Sequence, residues 1–199
     1  MCNLSDLFAK RRSIYHLKNE ISISDNELEN IIKKAIDNVP SAFNSQSSRI
    51  VLLLNQANIK FWNDITLKSL KKVVPDNNFE KTKNKIESFS KGYGTVLYFE
   101  DMNTVKKLEK QFPEYSDNFI VWANQTSAML QYMIWSLFAE KNIGANLQHY
   151  NPLIDNTVKK EFNIDKNWKL IAQMPFGNIL KPADEKNILN TEEKIMVFK

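Results

Sequence analysis

Residues 117–141 read DNFIVWANQTSAMLQYMIWSLFAEK, and residues 142–150 follow as NIGANLQHY. Phe119, Trp122, Ala123, Thr126, Met129, Leu130, Met133, Ile134, Leu137 and Phe138 recur at the three- and four-residue spacing of one helical face. Val121, Ala128 and Trp135 put apolar bulk on the other sides. A helix apolar nearly all round has no solvent face and must be covered on several sides. Asn124, Gln125, Gln131 and Ser136 interrupt it, which argues against a membrane span. Gly144 is expected to close the helix as a left-handed residue. Ala145 to Tyr150 then form a short polar and aromatic segment, delivered to one place by a rigid rod, as binding residues often are.

A chain of 199 residues is read as a single domain spanning 1–199, long enough to bury its own core. Its one cysteine, Cys2, allows no internal disulfide, which suits a reducing compartment. The beginning of the chain lacks a long apolar run, so no signal peptide is expected, and the protein is read as cytoplasmic, without a membrane segment. The net charge is +4, but the lysines alternate with acids along helical faces. This patterning reads as a solvated surface rather than a nucleic-acid footprint. With only Gly92, Gly94, Gly144 and Gly177, no glycine-rich phosphate loop is possible.

Taken in order, Asn3–Lys10 reads as a short helix ending in Arg11-Arg12-Ser13-Ile14-Tyr15. The two guanidiniums and the hydroxyl make either an anion clamp or an ordinary basic helix end. Ser24 and Glu27 form a capping box for a helix to about Asn38. The loop from Pro40 to Ser48 is dense in hydroxyls and carboxamides around Phe43. It is either a self-bonded turn or a reader of amide-type edges. Arg49–Leu54, Thr95–Phe99 and Trp168–Met174 read as strands, with Pro175-Phe176-Gly177 turning the last. Helices are expected over 59–74, broken by Pro75, and over 79–89, 101–111 and 155–162. The terminal Ile195–Phe198 reads as a strand that pairs at an edge, of this sheet or of another subunit's.

Acid–base chemistry is thinly supplied. His16, His149 and Cys2 cannot build a Cys/His zinc site, no Gly-x-Ser-x-Gly elbow exists, and Glu192 and Glu193 sit in a polar surface context. An arginine pair, a carboxamide-rich loop and many aromatics instead suit a protein that holds a cofactor.

Five stretches resemble the nitroreductase family of FMN enzymes, in its compact branch of about 200 residues. They are Arg11–Tyr15, Pro40–Gln46, Gly92–Leu97, Gly144–Pro152 and Met174–Gly177, in that order along nearly the whole chain. The resemblance implies an α+β fold with a small, mainly antiparallel sheet surrounded by helices. It implies a homodimer built on the long central helix, with a C-terminal strand reaching the partner subunit and two FMN sites shared between subunits. By position, Arg11, Arg12 and Ser13 would hold the phosphate and ribityl end. Lys186 would add a second base, with Lys194 as a rival. Pro40, Ser41, Ala42, Asn44 and Gln46 would border the flavin from the opposite subunit. Leu147, Gln148 and His149 would lie along the flavin edge, mainly through backbone groups. Tyr15 stands where many larger members carry a base near the flavin N1 and O2, with Lys83 or Lys85 as substitutes. The implied activity is ping-pong hydride transfer from NADH or NADPH to a small aromatic acceptor, a nitroaromatic or quinone. The alternative is a non-catalytic flavin-binding or regulatory protein on the same fold.

Overall fold

The computed structural model describes residues 3–199, so Cys2 lies outside the described residues. Five antiparallel strands form the sheet: β1 (Leu17–Lys18), β2 (Ser48–Leu54), β3 (Gly94–Asp101), β4 (Ile143–Ala145) and β5 (Trp168–Ile179). β5 is its hub, pairing with β1, β3 and β4, while β2 completes the sheet on β3. Along β3 the side chains alternate between two cores. Val96 and Tyr98 face one side, Leu97 and Phe99 the other, and all four are buried. A strand covered on both faces reads as a continuous apolar run, which is why TVLYF shows no polar alternation.

On one face lie α2 (Asp25–Asn38) and α7 (Ser116–Glu140), contributing Leu28, Ile31, Ile32, Leu130, Ile134 and Phe138 to the core. Ser24 caps α2 by accepting from the Glu27 N–H at 3.2 Å, as its sequence dictates. On the other face run α3 (Asn55–Ile59), a π turn over Lys60–Leu67, α4 (Lys68–Leu70), α5 (Asp76–Ser90) and α8 (Asp155–Glu161). Phe61, Trp62, Ile86, Phe89 and Val158 fill that core. α1 (Leu4–Lys10) lies against α7, and α6 (Met102–Gln111) seats Val105 on Phe119 and Ala123.

Four expectations from the sequence change. Gly144 does not close α7; it lies in β4, and Asn142 takes the left-handed turn at φ 58°. Asparagine tolerates that region because its short polar side chain bonds locally. Gly144 answers a different need, since a Cβ there would meet Ile14 Cγ2 and Ile179 Cγ1 at 2.9 Å. Pro175-Phe176-Gly177 is not a turn, because β5 runs on to Ile179. The Pro175 carbonyl accepts from Asn146 N–H at 3.2 Å, so its backbone edge faces away from β3 and its missing N–H interrupts no bond of that ladder. Met129, expected inward, is exposed together with Val121, Ala128 and Tyr132. Ile195–Phe198 joins no strand among the described residues; it follows a 3-10 turn at Glu192–Lys194, with Phe198 92% exposed. Apolar side chains are thus exposed along α7 and in the tail. Among the described residues no helix is long and apolar enough to cross a membrane.

Candidate functional site

The end of α1 places its two arginines at one cleft. Arg11, Arg12, Ser13, Tyr15 and Lys186 line a cavity of about 390 Å³, opposite the segment 181–186. Four cationic side chains, Arg11, Arg12, Lys181 and Lys186, stand there against Asp184 and Glu185. Arg12 donates from its guanidinium to the Asp184 carbonyl, which ties the far wall to the helix end, and within that wall Lys181 lies 3.8 Å from the Asp184 carboxylate. Arg11 is held differently. Its guanidinium sits 4.5 Å from the centre of the Trp135 ring and 5.7 Å from that of Tyr132, both on α7. Its Nε is buried without a hydrogen-bond partner among the described residues. Buried N–H donors are rarely left orphaned, so this one fits an oxyanion seated in the cleft. The surplus of positive charge fits a phosphate in the same way. Lys194 bonds to the Leu189 carbonyl and is absent from the cleft wall, so the geometry favours Lys186 over its rival. Lys83 lies 3.9 Å from Glu80 and from Glu87 on its own helix, and Lys85 lies over Phe89; neither lines the cleft.

The clamp is joined to the segment after β4. Ile14 N–H donates to the Ala145 carbonyl at 2.9 Å, and Asn146 Nδ2 donates to the Ile14 carbonyl at 2.7 Å. Asn146 Oδ1 in turn accepts from Gln148 Nε2 at 2.8 Å. Gln148 pairs with Gln173 of β5 through both backbone groups, at 2.7 and 2.9 Å. Both backbone polar groups of Gln148 are thus bonded to the sheet. In an extended segment the neighbours point the other way. Leu147 and His149 turn their backbone edges off β5, and neither N–H has a partner among the described residues. Tyr150 N–H is taken by Gln173 Oε1 at 2.8 Å, and burial against Trp62 pushes the Tyr150 hydroxyl up to about 12.

Pro40, Ser41, Ala42, Asn44 and Gln46 lie on the loop before β2 and do not line the cleft of Arg11 and Lys186. That separation within one chain is what a site completed by a second copy requires. Phe43, Asn44 and Gln46 all adopt left-handed backbone, at φ 54°, 50° and 47°. For residues other than glycine this conformation costs about 1–3 kcal/mol each and persists only where the surroundings impose it. Phe43 is pinned on α7 and its approach, with its ring 4.7 Å from Phe112 and 5.3 Å from Phe119, and stacked on Trp122. At the other end Ser47 and Ser48 bond the buried carboxylate of Glu100. Burial raises the Glu100 carboxyl above its usual range. The two serine hydroxyls and Arg49 oppose that shift, and Asp101 adds to it.

Sequence reasoning missed Trp135 as the seat of Arg11, Asn146 and Gln173 as connectors, and Glu100 as an anchor. Gln173 did leave a trace, as a carboxamide inside an otherwise apolar strand. On sequence alone Trp135 reads only as extra bulk on α7.

The family model described as the nitroreductase family matches residues 8–178. The nitroreductase CinD from Lactococcus lactis, solved in complex with nicotinic acid, is 39% identical, with a TM-score of 0.91 over 99% of this chain and 100% of that one. The same protein has been solved with chloramphenicol and with 4-nitrophenol. The nitroreductase FRM2 of Saccharomyces cerevisiae is 26% identical over 94% of both chains. A nitroreductase from Desulfitobacterium hafniense with bound FMN shares the fold, at a TM-score of 0.72 and 17% identity over the full length of both chains.

Proposed function

The chain belongs to the nitroreductase family, and on that premise we propose that it is an FMN-dependent NAD(P)H oxidoreductase acting on nitroaromatic or quinone-type acceptors as a homodimer. The observation that carries this reading is the Arg11 guanidinium, seated on Trp135 with a buried Nε that lacks a partner, in a cleft of surplus positive charge. In this reading Arg11, Arg12, Ser13 and Lys186 hold the FMN phosphate and ribityl end, with Tyr15 alongside. The backbone N–H groups of Leu147 and His149, turned off the sheet, meet the flavin edge. Pro40, Ser41, Ala42, Asn44 and Gln46 of one subunit cover the flavin held by the other.

When bound, FMN supplies hydride acceptance at N5 from a nicotinamide and delivery of electrons to a second substrate in turn. The chain's own residues position and exclude; none needs to be a general acid, since water supplies protons. That agrees with a sequence holding two histidines and one cysteine and no Gly-x-Ser-x-Gly elbow. The complexes of the Lactococcus protein with nicotinic acid, chloramphenicol and 4-nitrophenol support flat aromatic ligands as the substrate class. Homodimerisation is supported by Val121, Met129 and Tyr132 on α7, by Leu4 and Phe8 on α1, and by the apolar end of the tail, all exposed in the single chain.

The test is an absorbance spectrum of the purified protein, before and after NADH or NADPH without oxygen. A flavin band that bleaches is expected. A flavin band that neither nicotinamide bleaches supports a non-catalytic flavin-binding protein instead, and a colourless protein that takes up no added FMN defeats both.

A further inference from the structure

Glu100 closes the polar end of β3 directly opposite Ser48 of β2, and it is completely buried. Both carboxylate oxygens are committed, Oε2 accepting from Ser47 Oγ and Oε1 from Ser48 Oγ, each at 2.5 Å. Among the described residues no cation forms an ion pair with it; Arg49 turns instead to Asp101 at 2.9 Å. A buried carboxylate without a cationic partner is an expensive way to fill space, and an apolar side chain of similar size would do that better.

What the carboxylate does accomplish is attachment. Ser47 and Ser48 end the loop that begins at Pro40. Asp101 N–H donates to the Ser47 carbonyl at 2.9 Å, and Arg49 donates to the Gln46 carbonyl at 2.7 Å. Within the loop, Asn44 N–H donates to the Ser41 carbonyl at 3.0 Å, Ser45 N–H to the Ala42 carbonyl at 3.1 Å and Gln46 N–H to Ser41 Oγ at 3.1 Å. Three left-handed residues in four positions are costly, and such strain persists where the surroundings impose it, here at both ends of the loop as well as within it. One anchor is the Phe43 ring; the other is the Glu100 pair of bonds.

We propose that Glu100 is a positioning residue for the flavin ring, a buried carboxylate that acts through Ser47 and Ser48 to fix Gln46 and Asn44 where they cover the isoalloxazine. This rests on the reading that the loop borders the flavin. It assigns Glu100 to the ring end of the ligand and not to the phosphate end, which belongs to Arg11.

That division gives the experiment. Equilibrium dissociation constants for FMN and for riboflavin, which lacks the phosphate, are measured with the full-length protein. The variants are Glu100→Ala, Glu100→Gln, the double variant Ser47→Ala/Ser48→Ala, and Arg11→Ala. Glu100→Ala and the double serine variant are expected to weaken both flavins alike by roughly tenfold, the scale on which groups that orient a site act. Glu100→Gln, whose carboxamide still accepts from one serine and bonds the other, recovers part of the loss. Arg11→Ala is expected to weaken FMN and leave riboflavin nearly unchanged. Should Glu100→Ala fail to fold, the serine variant, which deletes only two hydroxyls, carries the test. Unchanged affinity for both flavins in these variants, or loss confined to FMN, overturns the inference while the flavin reading stands. Wild-type protein that binds neither flavin overturns that reading and this inference with it.

Discussion

The Arg11 guanidinium carbon sits over the Trp135 ring of α7, 4.5 Å from its centre. A cation held over an aromatic face keeps its charge and does not spend its N–H donors on the ring. Arg11→Ala should therefore strip FMN during desalting while the protein stays folded. Trp135→Leu should weaken FMN less, by about 0.5–2 kcal/mol, and Trp135→Phe less again. Full flavin occupancy in Arg11→Ala, read from the absorbance ratio of flavin to protein, would remove Arg11 from the site.

The second prediction follows from how closely the clamp lies on β4. A methyl at Gly144 would meet Ile14 Cγ2 and Ile179 Cγ1 at 2.9 Å and Ile14 Cβ at 3.1 Å. Ile14 cannot swing clear, because its N–H is bonded to the Ala145 carbonyl and β-branching fixes its χ1. Gly144→Ala should cost about 1–3 kcal/mol in stability, as overpacking does. The displaced segment carries Arg11 and Ser13, so flavin retention should fall as well. A thermal midpoint and flavin content both equal to wild type would show that the segment has room to move.

Glu100 makes a prediction in pH. Burial raises its carboxyl above the usual value, against the pull of Ser47, Ser48 and Arg49, so the folded protein holds that proton more tightly than the unfolded chain does. Its contribution to stability is thus fully present below the unfolded carboxyl range and is lost as pH rises through the raised value. Glu100→Gln removes this dependence. Relative to the variant, wild type should gain in thermal midpoint as pH falls from 8 to 5, measured with both proteins saturated with FMN. A gap that is flat or opens in the other direction would show that the carboxyl is not raised.

The elements that were legible in advance were those with one strong local cause. The three-four pattern of α7, the Ser24–Glu27 capping box and the apolar runs of β2 and β3 each specify an element by themselves. The three-residue β4 and two-residue β1 were not legible, because strands so short carry no periodicity and exist only through β5. Pro175 misled for a related reason. A proline is read as a break unless the direction of its missing N–H is known, and that direction is set by pairing. Of the site, the arginines and the loop were visible as unusual composition. Trp135, Asn146 and Glu100 were not, since each acts on a residue more than forty positions away.

Asn146 offers the sharpest local test of how the site is held together. It is fully buried and uses its carboxamide in two directions, donating to the Ile14 carbonyl at 2.7 Å and accepting from Gln148 Nε2 at 2.8 Å. Only a group with a donor on one side and an acceptor on the other satisfies both neighbours. Asn146→Ala leaves a buried carbonyl and a buried amide unpaired, for a cost of about 1–3 kcal/mol. Asn146→Asp is nearly isosteric but, when ionised, sets an acceptor against the Ile14 carbonyl. Once protonated it regains a donor. The aspartate variant should therefore be the less stable of the two at pH 8 and should recover toward wild type at pH 5, while the alanine variant shows no such recovery. Flavin retention should track stability in both, because the same side chain fixes the distance between the Arg11 segment and the backbone of residues 147–149. An aspartate variant indifferent to pH would mean that Asn146 merely fills space.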